Sequence, residues 1–465
     1  MPHRQELRRP REFVMVISMR RITRIALVSA LMAVTQLAHA ILPIEHWSTA
    51  AGAKVYFVAN RGLPMLDVSI EMPAGSAFDT PEKSGLAAMT NGLMRMGAGG
   101  IGEDEIARRL ADVGAVMSNR FDYDRAGLYL RTLSDVKLRN QALDAMARVL
   151  SSPAYPETVV ERERLRYVSA LKEADLTPDS QVSREFYRQV YGSHPYSLRS
   201  SGEVVSVSRL KRDDLIAFHR KHYVAGQAVV AIMGDVTRQE AEAIAEQLTR
   251  ALPRSGGPAL SLPEVQPLSA AVTRMIDHPA SQSHIMIGTP GMRRADPDYF
   301  VLFVGNYVLG GGGFVSRITD EVRQKRGLAY SAHSFFLPLL ARGPFVIGMQ
   351  TRRDQAEQAL SVVRSTLREF IEKGPSEQEV QAAKQNIVGG FPMRIDSNRK
   401  IHDYLALIGY YNLPVDYLET FVQNIERVTA ADIKAAFARR VDPDRLVTVV
   451  VGADRNQSAT VPPAR

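Results

Sequence analysis

VSIEMPAG (residues 68–75) and IMIGTPG (residues 285–291) are two strand-like runs, and each breaks at a Pro/Gly turn. Pro73 and Pro290 stand 217 positions apart. Further on, DDLIAF (213–218) precedes AVVAIMGD (228–235), and ADIKAAF (431–437) precedes LVTVVVGA (446–453). Asp214 to Asp432 is 218 positions, as is Gly234 to Gly452. Four landmarks in one order at one offset, within a residue, describe two copies of one domain. The copies span roughly 45–252 and 268–460, joined by PRSGGPALSLPEVQP (253–267), which has a linker's composition. Helical periodicity at 103–113, 135–151, 157–174, 353–372 and 376–388 alternates irregularly with the strands. The expected fold is α+β: two homologous domains, each a β-sheet covered by helices. Residues 454–465 read as a polar tail.

The first forty residues belong to neither copy. MRRITRIALVSALMAVTQLAHA, from Met19, has a basic start, a short apolar run and an Ala38-His39-Ala40 ending. That is the pattern of a cleaved secretory signal, with cleavage near Ala40 and a periplasmic product in a two-membrane host. Met19 is the more natural start, which makes residues 1–18 an extension. This segment carries seven Arg and two Glu, so the chain's +8 falls to +3 without it (8 − 5). The basic balance therefore says little about partners, and no Lys/Arg cluster with interleaved aromatics marks a nucleic-acid surface. With no cysteine, the chain has neither disulfides nor thiolate metal sites.

SGLAAMTNGLM (84–94) reads as a helix, with Leu86, Met89 and Leu93 at helical spacing and Gly97 placed to stop it. It holds no strong metal ligand and no group that titrates near neutral pH. His219 and His222 in FHRKHY share a helical spacing, but no acidic residue accompanies them; they read as a solvated surface pair. His278, His284, His333 and His402 are isolated and read as structural.

In the second copy, LGGGGFVSRITDEVRQKRGLAYSAHSFF (309–336) lacks the GK[ST] ending of a phosphate loop. Residues 315–325 read as a helix with Ser316 near its start, Gly327 as its reversal, and 328 onward as a strand. Such a reversal brings Arg323 and Tyr330 toward one pocket. The strand 329–336 offers an edge for an extended peptide.

SGLA (84–87), HPY (194–196), MGDV (233–236) and RGLAY (326–330), in this order and spacing, resemble the M16 family of zinc peptidases. The likeness runs over nearly all of the chain after residue 40 and includes the repeat. It implies an HxxEH motif just after GLA, in which two His bind zinc and the Glu activates the bound water. Here those positions hold Ala88, Asn91 and Gly92. The third ligand, a Glu on the helix near 161–175, falls at Ala170, or at Ser169 one register away. The resemblance thus implies no zinc on this chain. From the residues alone, 84–94 is simply a core helix, which also predicts no metal.

The same likeness implies that Arg323 and Tyr330 match the Arg/Tyr pair with which active members bind the substrate backbone and stabilise the tetrahedral intermediate. Arg326 is a substitute for Arg323. Gly310, Gly311, Gly312 and Gly313 lie where a processing-peptidase subunit has a substrate-handling loop, and Ser331 joins them as a substrate-binding candidate. Without the likeness, Arg323 caps a helix C-terminus and Tyr330 packs an amphipathic strand. The expectation is a zinc-free subunit of a heterodimeric metallopeptidase, with zinc on an HxxEH partner of similar length and peptides as substrates. The rival is an inactive structural or peptide-binding protein, and a third option is a peptidase with a different metal site.

Overall fold

The computed structural model describes residues 43–254 and 261–452, which together contain thirteen strands. The segment read as a secretory signal, the centre of the stretch read as a linker and the residues read as a polar tail lie outside the described residues. The strands are β1 (Glu45–Ser48), β2 (Lys54–Ala59), β3 (Met65–Met72), β4 (Gly97–Ala98), β5 (Ile101–Gly102), β6 (Val116–Phe121) and β7 (Ala126–Leu133). They continue with β8 (Val229–Gly234), β9 (Val272–Ile276), β10 (Gln282–Pro290), β11 (Ala329–Phe336), β12 (Pro344–Arg352) and β13 (Val447–Val451). One sheet has the order β1-β2-β8-β3-β7-β6 and the other β11-β12-β10-β13-β9; β4 and β5 form a small hairpin.

The repeat is visible in the pairing. β2 with β8 and β9 with β13 are the parallel pairs. The strands carrying the Pro/Gly landmarks, β3 and β10, each lie antiparallel between two neighbours at the same place in their sheets. The predicted helices form at Glu103–Ala111, Val136–Ser151, Glu157–Asp175, Ala356–Lys373 and Glu377–Gly390.

The two halves exchange a helix. Helix Pro178–Tyr191 of the first half packs on the second sheet, where Val182, Phe186, Val190 and Tyr191 join Val346, Val447, Val449 and Val451 in one core. Reciprocally, helix Asn398–Tyr411 of the second half lies on the first sheet. A Cβ on its Gly409 would stand 2.5 Å from Val229 and 2.7 Å from the Tyr56 ring, so glycine sets this close approach. With helices on both faces, β8 (VVAIMG) and β13 (VTVVV) are buried at every position and read as continuous apolar runs rather than alternating ones.

A buried carboxylate joins the halves. Asp124, in the β6–β7 turn, accepts from the hydroxyls of Tyr196 and Tyr411 and from the Leu340 amide. Its backbone carbonyl accepts from Tyr410. Burial raises the Asp124 carboxyl above its usual range, and the tyrosine and amide donors oppose the rise. The end of the linker is also fixed. Val265 is buried, Pro263 O meets the His194 imidazole, and Glu264 pairs with Arg293.

Candidate functional site

The plain helix of the first half runs Leu86–Leu93 and buries Leu86, Met89 and Leu93. Asp79 caps its start, accepting from the amides of Gly85 and Ala87 at 2.8 Å each. The side chains at and around the implied motif have other work. Asn91 is buried and donates to Gly127 O at 3.0 Å and to the Tyr223 hydroxyl at 3.2 Å. Tyr167, from helix Glu157–Asp175, points its hydroxyl to 2.8 Å from where a Gly92 Cβ would stand. Ala88 is half-buried, while Ser169 and Ala170 are exposed. Ala88 and Gly92 offer no donor atom, Asn91 alone offers a single neutral amide oxygen, and Tyr167 fills the approach to Gly92. Zinc does not fit this helix. Among the described residues, no group of three His, Asp or Glu is placed to hold a metal.

His219 and His222 are not the solvated pair expected. Both are buried: His219 stacks on Tyr223 and bonds Leu150 O, and His222 stacks on Phe218 and bonds Pro73 O. Burial pushes each imidazole down to about 4. The helix Arg212–His222 turns this face inward, and the charged neighbours Arg220 and Lys221 hid that in the sequence. His402 is buried edge-on to Tyr129, and His278 bonds Leu176 O.

In the second half, the helix expected at 315–325 is shorter and irregular. The chain makes a 3-10 turn at Gly313–Val315, a helical turn at Arg317–Thr319 and a π-helical turn at Asp320–Gln324. Ser316 is buried just before it, bonded to Gly313 O. Gly327 reverses the chain at φ +63°, as its position required. β11 then starts with a bulge: Ala329 pairs with Thr351 and Ser331 with Gln350, leaving Tyr330 as the extra residue. The bulge turns Tyr330 and Ser331 outward in succession, where a regular strand would alternate them.

The result is a stacked triplet. The Arg323 guanidinium lies 4.8 Å from the Tyr330 ring centroid and 4.7 Å from that of Phe314. Phe314 is the member that sequence reasoning missed; an aromatic directly after a glycine run was the available signal. Tyr330 is 78% exposed and Phe314 63%. The acidic neighbours Asp320 and Glu321 pair with Lys325 and Arg326 instead, so among the described residues no carboxylate neutralises Arg323. Arg326 is held by the Glu321 side chain and carbonyl, whereas Arg323 has no such partner among the described residues. Arg323, Tyr330 and Ser331 line a cavity of about 380 Å³ with Gly310, Gly311 and Gly313.

The glycines differ from one another. Gly310 packs against Ser334 and Gly311 against Asn306, contacts that a Cβ would break, and Gly312 lies on Tyr307. Only Gly313, at φ +64°, faces open space. The expected free edge of β11 is also mostly closed. Thr319 donates to Ala332 O at 2.9 Å and Asn306 to Ser334 O at 3.1 Å. The outward backbone that remains is confined to the bulged start of the strand.

Two profiles of one peptidase family match this chain. The profile described as "Insulinase (Peptidase family M16)" matches residues 57–202, and the one described as "Peptidase M16 inactive domain" matches 209–387. The chain belongs to the M16 family. A solved M16 inactive domain from Pseudomonas fluorescens is 37% identical, with a TM-score of 0.85 over 89% of this chain and 98% of that one. An uncharacterized zinc protease of Streptomyces coelicolor is 27% identical, with 91% of this chain and 92% of that one covered. The non-peptidase homolog YmxG of Helicobacter pylori is 22% identical, with 86% and 92% covered.

Proposed function

We propose that this chain is the zinc-free subunit of a heterodimeric M16 metallopeptidase. It binds extended peptides and supplies Arg323 and Tyr330 to bonds cleaved at the zinc of an HxxEH partner. The observation that carries the reading is the contrast between the halves: in the first, the ligand positions hold Ala88, Gly92 and Ala170, with Asn91 at the base position and Tyr167 against Gly92, while Arg323 in the second is left without a carboxylate beside an exposed Tyr330.

In this role the Tyr330 hydroxyl, a neutral donor at pH 7, hydrogen-bonds the substrate oxygen as it gains charge, and Arg323 adds a permanent cation. Phe314 and Tyr330 both contact the guanidinium face, and all three side chains line the open cavity. Chemistry needs a water activated elsewhere, which is the partner's part. The signal-like N-terminus supports a periplasmic location, and a periplasmic Escherichia coli protease shares the fold at a TM-score of 0.76. The name borne by the Helicobacter pylori relative favours a second reading, an inactive peptide-holding protein.

The test is co-purification from the native host, followed by peptide cleavage with and without a chelator. Tyr330→Phe in the assembled complex should lower kcat by about 10²–10³ with little change in assembly. A fully active Tyr330→Phe, Arg323→Ala complex refutes the role and favours the second reading.

A further inference from the structure

Three helices of the first half end at one pole of its sheet, where β8 begins. Helices Val136–Ser151 and Arg238–Thr249 run side by side in the same direction, tied by Arg139 to Glu240 near their starts and by Gln247 to Asp144 farther along. Helix Arg212–His222 reaches the same pole, where the His219 ring bonds Leu150 O at 2.9 Å. The chain after Thr249 folds back there. Pro253 O accepts from the Ala225 amide at 2.8 Å and Arg254 O from the Gly226 amide at 3.1 Å, just ahead of β8. A Cβ on Gly226 would stand 2.6 Å from Arg254 O, so the loop is held close.

This pole carries Arg148, Arg220, Lys221, Arg250 and Arg254, all exposed. Among the described residues none of them pairs with a carboxylate. The acids one turn earlier, Asp144 and Glu246, are engaged elsewhere, by the Gln247 side chain and the Ala50 amide. A helix C-terminus favours a cation in its last turn, which accounts for Arg148, Arg220 and Lys221 one at a time. It does not account for Arg254, which a loop brings to the same place.

What surrounds the charges selects the partner. The aromatics of this pole, Tyr155, Phe218 and Tyr223, are buried, so no ring is offered for a base to stack on. None of the exposed large hydrophobic side chains comes from these helix ends, so the charges lack the apolar centre of a protein–protein interface. They stand on three separate helix ends and a loop rather than converging on one small anion. We propose that this pole is a docking surface for the anionic headgroups of a membrane, held as a peripheral, electrostatic contact. Each Lys or Arg beside such a surface adds attraction that salt screens. The residues are separate from Arg323 and Tyr330, so the proposal stands apart from the peptide-binding role.

The test is co-sedimentation with vesicles of phosphatidylcholine containing about 30% phosphatidylglycerol, against phosphatidylcholine alone. The protein is the chain recovered after export, with loss of the basic N-terminal segment verified by mass, because that segment would bind vesicles itself. It should sediment with the anionic vesicles only, and about 0.5 M salt should release it. Arg220→Glu, Lys221→Glu and Arg250→Glu together should lower the partition coefficient about a hundredfold or more, at about fivefold per charge lost. Lys137→Glu, Arg427→Glu and Lys434→Glu change the net charge equally from other surfaces and should stay within about twofold of wild type. All six positions are exposed, so both triple variants should fold, and their melting curves check this. Equal retention on the two kinds of vesicle, or equal losses in the two triple variants, overturns the proposal. So does complete displacement from the vesicles by an equal charge of polyglutamate, which would mark an acidic protein as the better partner.

Discussion

Writing the family's zinc ligands back into this chain should fail, and the structure says by how much. Consider Ala88→His, Asn91→Glu, Gly92→His and Ala170→Glu together. The Cβ of residue 92 would stand 2.8 Å from the Tyr167 hydroxyl before any imidazole is added. Tyr167 must leave its half-buried site, an overpacking cost of about 1–3 kcal/mol. Asn91 is 1% exposed and donates to Gly127 O and Tyr223. A glutamate there loses the donation to Gly127 O and points a carboxylate at that carbonyl. An uncompensated buried charge of this kind costs about 3–5 kcal/mol. The sum, roughly 4–8 kcal/mol, approaches the whole stability of a typical domain. Nor does Ala170→Glu help, because that position is exposed and Tyr167 is the residue meeting Gly92. The assay pairs thermal melting with zinc titration calorimetry. The expected result is a melting temperature lower by on the order of 10 °C and no tight zinc binding. Wild-type stability together with submicromolar zinc affinity would refute the reasoning, and adding Tyr167→Ala should recover part of the loss.

Asp124→Ala leaves the Tyr196 and Tyr411 hydroxyls and the Leu340 amide without their acceptor. Urea unfolding should show a loss of about 3–5 kcal/mol, with Asp124→Asn losing less. His219, held down at about 4, disfavours protonation in the fold relative to an unfolded value near 6.5. Its contribution is therefore complete above pH 6.5 and is lost as pH falls toward 4. His219→Gln should flatten the pH–stability curve across that window by about 3 kcal/mol relative to wild type. Gly409→Ala should destabilise by about 1–3 kcal/mol in the same urea assay, because Val229 and Tyr56 leave no room for the methyl. That cost outweighs the gain in helix propensity, about 1 kcal/mol.

The repeat of strands was legible because its signals are local and repeated. Pro73 and Pro290 mark the ends of the corresponding strands β3 and β10, and Gly234 and Gly452 those of β8 and β13. What the sequence concealed depends on contacts between distant segments. Nothing in the pattern of residues 178–191 says that its apolar face meets Val447 and Val449 rather than its own sheet. His219 and His222 were misjudged for a related reason: Arg220 and Lys221 made the segment look solvated, but their alternation suits a helix with one buried face. At the candidate site, Arg323 and Tyr330 came from the family likeness, and Gly327 supplied the reversal between them. The bulge that turns Tyr330 outward is a register slip between β11 and β12, which no single strand encodes.

The helix exchange has a consequence for how the chain is made. One face of the first sheet receives its helix only when residues 398–411 arrive, more than 160 positions after β8 completes that sheet at Gly234. A ribosome adding about 5–20 residues per second leaves that face, with Val229, Ala231 and Met233 beside Asp67, Ser69 and Glu71, bare for roughly 8–33 seconds. Throughout synthesis the first half is an unfinished body, open to chaperones and to sister chains. A route that keeps the chain unfolded until its last helix is through, as export does, would remove that exposure. The order in which the segments appear thus favours folding late and all at once.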